Sequence, residues 1–276
     1  MPETTNPLGR HADFPTTVDP AILFPIARAE GRATLGLDAA ALPFKGVDLW
    51  TAWELSWLDA RGKPCIAVAE LQVPCASPNL VESKSLKLYL NGYAMARFDN
   101  ADAVRARIAQ DVSACVGAHV GVGLLRRADF EELEVGEFAG EPLDDLQLDV
   151  ADYAPPRADH LCARAGASVI RESLVTHAFR SCCPVTGQPD WASVQVRYRG
   201  RAIEHAGLLR YLVSFRDHPD FHEACVERMF VDIRQRCAPL ELRVYARFLR
   251  RGGIDINPWR ATSDLAAPVS RRGARQ

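Results

Sequence analysis

One ten-residue pattern occurs twice in this chain. Val81-Glu82-Ser83-Lys84-Ser85-Leu86-Lys87-Leu88-Tyr89-Leu90 lines up with Ile203-Glu204-His205-Ala206-Gly207-Leu208-Leu209-Arg210-Tyr211-Leu212. The punctuation around it also returns. A Gly62-Lys63-Pro64 turn matches Gly187-Gln188-Pro189, and Leu125-Arg126-Arg127 matches Leu249-Arg250-Arg251. Self-similarity of this kind signals one supersecondary unit built more than once. A length of 276 residues accommodates two small domains better than one large one.

Hydrophobic patterning gives both halves the same plan. Val47 to Leu58 is rich in aromatic and branched residues and predicts a strand. Cys65 to Val73 predicts a second, joined through the Gly62 turn as a hairpin. A helix begins at Glu82-Ser83-Lys84-Ser85. Asn100 caps another over Ala101 to Cys115, where Val104, Ile108, Val112 and Cys115 fall at helical spacing. His119 to Leu125 returns to strand. In the second half Ala167 to Phe179 and Trp191 to Tyr198 predict strands, and Gly207 to Phe215 a short helix. Asp220 caps a longer helix from Phe221 to about Cys237, and Leu240 to Leu249 alternates as a strand. Each half reads β-β-α-α-β. The fold class is α+β, with helices on one face of an antiparallel sheet.

The expected organisation is a loop-rich segment over residues 1–45, a first module over 46–127, an acidic linker over 128–160 and a second module over 161–276. Pro7, Pro15, Pro20, Pro25 and Pro43 recur too often in the first segment for a long helix. Between Ala128 and Pro156 there are ten acidic residues and no Lys or Arg, with one possible strand at Leu146 to Val150. Two halves that differ in their polar residues suggest one site divided between them.

Composition narrows the function. The net charge is -2, so no bulk field holds nucleic acid. The longest run free of Asp, Glu, Lys and Arg is Val112 to Leu125, shorter than the ~18 to 20 residues of a spanning helix. Met1 to Asn6 lacks the basic-then-apolar order of a secretory signal. The expected location is therefore the cytoplasm, with reduced thiols. The 8 cysteines contain no Cys-x-x-Cys, and no zinc or other metal site is expected. His11, His119, His160, His177, His205 and His218 form no ligand spacing. The tail Arg271-Arg272-Gly273-Ala274-Arg275 reads as a frayed end.

Four short stretches can carry chemistry. In Cys182-Cys183 only one thiol can face a given site, because successive strand residues point to opposite faces; the other is a small buried hydrophobe. A turn shaped by Pro184, Gly187 and Pro189 brings Cys183 and Asp190 across a hairpin from one another, a nucleophile beside an acid/base. Asp220-Phe221-His222-Glu223 has the spacing of a capping box. It is equally an aromatic face and two polar groups ready for a flat ring. Glu82-Ser83-Lys84-Ser85 is an ordinary helix start, or a phosphate site made of hydroxyls, free N–H groups and a lysine. Arg250-Arg251-Gly252-Gly253 is a basic turn, or a phosphate grip with room for close backbone approach. Gly121-Val122-Gly123 lacks the third glycine of a Rossmann fingerprint, so any dinucleotide binds in another way.

Taken together these stretches resemble the 7-cyano-7-deazaguanine reductases, the nitrile reductases of queuosine biosynthesis. The resemblance rests on Glu82 to Tyr89, Cys183-Pro184-Val185-Thr186-Gly187-Gln188-Pro189-Asp190, Phe221-His222-Glu223 and Arg251-Gly252-Gly253-Ile254-Asp255-Ile256-Asn257-Pro258, in that order along nearly the whole chain. Cys182 is no part of the pattern, and the spacing to Asp190 selects Cys183. The resemblance implies tandem tunnelling-fold (T-fold) modules of the long, two-module type, assembled as a homodimer. It implies NADPH-dependent reduction of a nitrile to a primary amine on a free deazaguanine base, without nucleic acid or membrane. Cys183 would attack the nitrile as nucleophile, Asp190 would move protons, and His222 would assist. Val81, Glu82, Ser83, Phe221, His222 and Glu223 would hold the substrate. Ser83, Lys84, Arg251 and Gly252 would contact NADPH. A cysteine hydrolase or amidotransferase acting on a purine-like ring, or a non-catalytic ring-binding protein, are the competing classes.

Overall fold

The computed structural model describes residues 14–262, 265–269 and 271–276. Met1 to Asn6, Pro7 and His11 lie outside them. The chain divides into two compact units. The first comprises Met1–Thr34, Val47–Glu134 and Arg250–Asp255, and the second Leu35–Gly46, Val135–Leu249 and Ile256–Gln276.

The first unit opens with a 3-10 turn, Pro20–Ile22, started by the Asp19 carboxylate accepting from the Ala21 amide. Strand β1 (Pro25–Ala27) and helix α1 (Arg28–Thr34) follow. This segment was expected to be loops and turns. The departure has a simple cause: no proline falls between Pro25 and Pro43, and the helix in that gap is anchored by charge. Arg28 and Asp48 form a buried pair at 2.5 Å, and Arg32 donates to the Cys75 carbonyl at 2.6 Å. Strands β2 (Lys45–Leu58) and β3 (Pro64–Pro74) form the expected hairpin. Short β4 (Asn79–Val81) pairs antiparallel with β1 and leads into α2 (Ser83–Asn91). Helix α3 (Ala101–Val116) starts at an Asn100 cap and ends at Gly117, whose φ of 72 suits the left-handed position. Strand β5 (Gly121–Leu125) closes the order β5-β3-β2.

The second unit repeats this plan. Short β6 (Glu141–Pro142) runs parallel to β7 (Val169–Cys182), which forms a hairpin with β8 (Pro189–Arg201). Helices α4 (His205–Val213) and α5 (His222–Cys237), then β9 (Glu241–Phe248) and β10 (Ile254–Ala261), complete it. The strand order is β10-β9-β8-β7-β6. The duplication reaches fine detail. Strands β2 and β7 are both 14 residues long, with a bulge at matching places, Ala52/Leu55 and Thr176/Phe179. Helices α2 and α4 both have 9 residues, α3 and α5 both 16. Tyr89 donates to Asp111 at 2.8 Å, and Tyr211 to Asp232 at 2.6 Å from the matching positions.

Four further expectations are corrected, and one strand is added. The final strands do not align as Leu125-Arg126-Arg127 on Leu249-Arg250-Arg251. In β3–β5 Val68 faces Leu125, in β8–β9 Ala192 faces Phe248, and matching the hairpins puts Arg126 at the place of Phe248. Leu146 to Val150 is not a strand. The acidic stretch is instead pinned to the β7 bulge by Asp144, which accepts from the His177 amide at 2.8 Å and from the Thr176 hydroxyl. Strand β10 is an element to which no expectation was attached; Pro258 removes a ladder donor from it, yet all eight residues are buried, and that burial outweighs the lost donor. The basic tail is not frayed: Gln276 donates to the Phe248 carbonyl at 2.9 Å and to Asn257 at 2.7 Å, and Arg275 to the His177 carbonyl at 2.6 Å. Finally, α5 is capped by Phe221 rather than Asp220, whose carboxylate bonds the Phe221 amide at 2.9 Å, so no capping box forms.

Candidate active site

The β7–β8 hairpin presents two cysteines to opposite sides. The Cys183 amide donates to the Gln188 carbonyl at 2.9 Å, and the Gly187 amide to the Cys183 carbonyl at 3.0 Å. Gly187 has a φ of 68, which a side chain would resist. Cys182 pairs with Pro189 and Ser181 with Asp190. By strand alternation Ser181, Cys183 and Asp190 share one face. Cys182 belongs to the other, where its sulfur lies 3.8 Å from an Arg180 guanidinium nitrogen. Cys183 is buried, Asp190 is 2% exposed and Ser181 0%.

The end of β7 also fixes where α5 begins. The Cys182 amide donates to the His218 carbonyl at 2.9 Å, and the Asp220 amide to the Cys182 carbonyl at 3.0 Å. These bonds deliver Phe221-His222-Glu223 to the hairpin that carries Cys183 and Asp190. His222 Nε2 lies 3.2 Å from Asp190 Oδ2, and the side chains are 11% and 3% exposed. The His222 ring stacks on Phe248, centroids 3.9 Å apart. Glu223 is buried and Phe221 half-buried. Cys225, farther along α5, is fully enclosed. Burial pushes its thiol well up, the Asp220 and Asp190 carboxylates add to this, and the Ser181 hydroxyl opposes it. Cys225 is thus a buried thiol, not a nucleophile. A thiol and an imidazole-paired carboxylate on one secluded face are the parts of nucleophilic catalysis with proton transfer.

The other candidates lie in the first unit. Val81, paired with Pro25, and Glu82 are both buried. The Glu82 carboxylate accepts from the Lys84 amide at 2.8 Å and the Ser85 amide at 2.7 Å. Of the two readings of Glu82-Ser83-Lys84-Ser85, these bonds favour the ordinary helix start over a phosphate site: a carboxylate of the chain itself takes those donors. The Ser83 and Lys84 side chains remain half-exposed. Lys84, Lys87, Asn91, Glu54, Gly252 and Gly253 are among the residues lining a cavity of about 370 Å³. Gly252 and Gly253 have φ of 59 and 80 within a tight turn closed by the Arg251 amide on the Ile254 carbonyl at 2.9 Å. A Cβ on Gly252 would come 3.1 Å from the Lys87 side chain. Two lysines beside a bare-backbone turn fit a phosphate-bearing cofactor.

Within the second unit the structure gathers Cys183, Asp190, Phe221, His222 and Glu223. Within the first it gathers Lys84 and Gly252 around one cavity. Sequence reasoning missed Ser181 and Phe248. Strand alternation through Asp190 could have found Ser181, whereas Phe248 depends on the β8–β9 register. Among the described residues no group of His, Cys, Asp or Glu could hold a metal, and no helix is long and apolar enough to cross a membrane.

Comparison with known proteins agrees along the whole length. Residues 14–124 match the family model described as nitrile reductase, 7-cyano-7-deazaguanine-reductase N-term, and residues 189–267 match that of the QueF-like proteins. A protein of Bordetella avium (strain 197N), named NADPH-dependent 7-cyano-7-deazaguanine reductase, is 52% identical over 276 residues, 100% of both chains. Proteins of the same name from Stenotrophomonas maltophilia (strain K279a) and Xanthomonas campestris pv. campestris (strain B100) are 55% and 57% identical, each covering 95% of this chain and 94% of their own. With full-length identity at this level and both family models in order, the chain belongs to the 7-cyano-7-deazaguanine nitrile reductase family.

Proposed function

We propose that this chain reduces the nitrile of 7-cyano-7-deazaguanine to the primary amine of 7-aminomethyl-7-deazaguanine, a step of queuosine biosynthesis, using two NADPH. The observation that carries this reading is the convergence of Cys183, Asp190 and His222 on one buried face of the second unit. When bound, NADPH supplies hydride.

The chain's own residues do the rest. Cys183 sulfur adds to the nitrile carbon, forming a C–S bond and breaking one C–N π bond. The proton released from the thiol passes through Asp190 to the nitrile nitrogen, which completes a neutral thioimide. A C=N bound to sulfur accepts hydride better than a nitrile does, so covalent attachment divides one hard step into easier ones. Cys183 leaves as a thiolate once the carbon stands at the imine level, and Asp190, held by His222 and reprotonated from solvent, gives the nitrogen its second proton as the imine becomes the amine. Seclusion of Asp190 and His222 keeps water from hydrolysing the imine. Glu223 and Glu82 accept N–H groups of the guanine-like edge. Glu82 already accepts two amides, and a carboxylate has about four acceptor sites, so lone pairs remain. Phe221 stacks on the ring, and Val81 and Ser83 complete the substrate contacts. Ser83, Lys84, Arg251 and Gly252 hold NADPH.

The duplicated β-β-α-α-β plan supports tandem tunnelling-fold modules, assembled through their sheets as a homodimer. A net charge of -2 supports a free base as substrate, without nucleic acid, and the proposed location is the cytoplasm. Intact-mass spectrometry tests the reading. With 7-cyano-7-deazaguanine alone the chain gains one substrate mass, Cys183→Ala does not, and NADPH discharges the adduct with release of the amine. An adduct kept by Cys183→Ala but lost in Cys182→Ala would assign the wrong thiol, and no adduct in either wild-type condition would sink the covalent route.

A further inference from the structure

The His222 ring is held in two ways. Asp190 Oδ2, 3.2 Å from Nε2, fixes one atom. A single ion-pair contact leaves the ring free to turn about that line. Phe248 removes this freedom: its ring lies 3.9 Å from the imidazole at an interplanar angle of 22°. Phe248 sits on β9 opposite Ala192, so it shares a sheet face with Asp190, two residues earlier on β8. Phe248 is 0% exposed. Phe179 backs it edge-on at 6.0 Å, and Phe215 backs Phe179 at 5.5 Å. In so dense an interior the ring has nowhere to recede.

The first unit is an internal control. Matching hairpin bonds (Asp59 amide to Lys63 carbonyl, Cys183 amide to Gln188 carbonyl) place Asp59 where the second unit has Cys183. By the same matching, Cys65 stands for Asp190, Ala101 for His222 and Arg126 for Phe248. The Tyr–Asp bonds that brace the module are kept in both units. Phe248 thus differs along with the three chemistry-bearing residues, not with the shared scaffold.

We propose that Phe248 is a positioning residue that sets the plane of the His222 ring, so that Nε2 meets Asp190 during proton transfer. This rests on the reading that Asp190 and His222 serve the nitrile carbon bound to Cys183. A double-mutant cycle on kcat tests it, with Phe248→Leu, His222→Ala and the pair. Phe248→Leu lowers kcat about tenfold, the scale of a small misplacement, while the KM for the nitrile stays within about twofold. In the His222→Ala background the same change costs nothing further. Phe248→Met, flexible enough to fill the space, serves where the leucine variant does not fold. Losses that multiply independently would make Phe248 an ordinary core residue and overturn the proposal. Wild-type turnover of the nitrile judges the reductase reading separately: an active wild type with an uncoupled cycle sinks only the positioning role.

Discussion

Asp190 stands directly across the β7–β8 hairpin from Ser181, on the face that its carboxylate shares with His222. Its position is set by backbone pairing on one side and by the start of α5 on the other. A group so fixed is suited to moving a proton. Asp190→Asn keeps the shape and removes the proton chemistry. It should lower kcat by about 10²- to 10⁴-fold and slow formation of the Cys183 adduct seen by mass spectrometry. A variant within a few-fold of wild type in both rates would remove Asp190 from the mechanism.

Gly252 tests the cofactor side. Its φ of 59 and the 3.1 Å approach of a Cβ to the Lys87 side chain both resist a larger residue. A left-handed L-residue costs roughly 1–2 kcal/mol, about tenfold in an equilibrium. Gly252→Ala should weaken NADPH binding by that factor in a fluorescence titration, with the Cys183 adduct forming as in wild type. Lys84→Ala and Arg251→Ala should behave likewise. Loss of the adduct would transfer these residues to the substrate.

Much of this was legible in the sequence because it is local. Gly187 announces the turn that holds Cys183, and the repeated Glu-x-x-x-Leu pattern announces α2 and α4. What escaped depends on distant partners. Strand β10 carries a proline and is revealed only by its burial. The acidic stretch looks like a solvated linker until Asp144 meets the bulge at Thr176 and His177, and Leu143 is enclosed. Phe248 reads as one more apolar strand residue until the register sets it under His222.

The two modules end their long helices differently. Gly117 closes α3 with a φ of 72, whereas Ala238 closes α5 with a φ of 46. The alanine carries the left-handed penalty of roughly 1–2 kcal/mol, and glycine would give back roughly 0.5–1 kcal/mol in unfolded-state entropy. Ala238→Gly should therefore stabilise the second unit by about 0.5–1 kcal/mol, read as a higher urea midpoint at an unchanged slope. A lower midpoint would mean the alanine side chain packs better than its backbone suffers.

Arg260 and Glu227 tie β10 to α5 inside the second unit. Two Arg260 nitrogens reach one Glu227 oxygen at 3.1 and 2.9 Å, with side-chain exposures of 0% and 5%. A third nitrogen donates to the Trp259 carbonyl at 3.0 Å, and the guanidinium lies 5.6 Å from the Phe44 ring. Desolvation offsets most of the attraction in such a pair, so its net worth is small, but either charge left alone is costly. Glu227→Gln should destabilise the second unit by about 3–5 kcal/mol in urea unfolding. Replacing both residues by apolar ones of similar volume, Glu227→Met with Arg260→Leu, should recover most of that loss. If the double replacement were as damaging as the single one, the pair would be holding β10 by hydrogen-bond geometry that no apolar packing can replace.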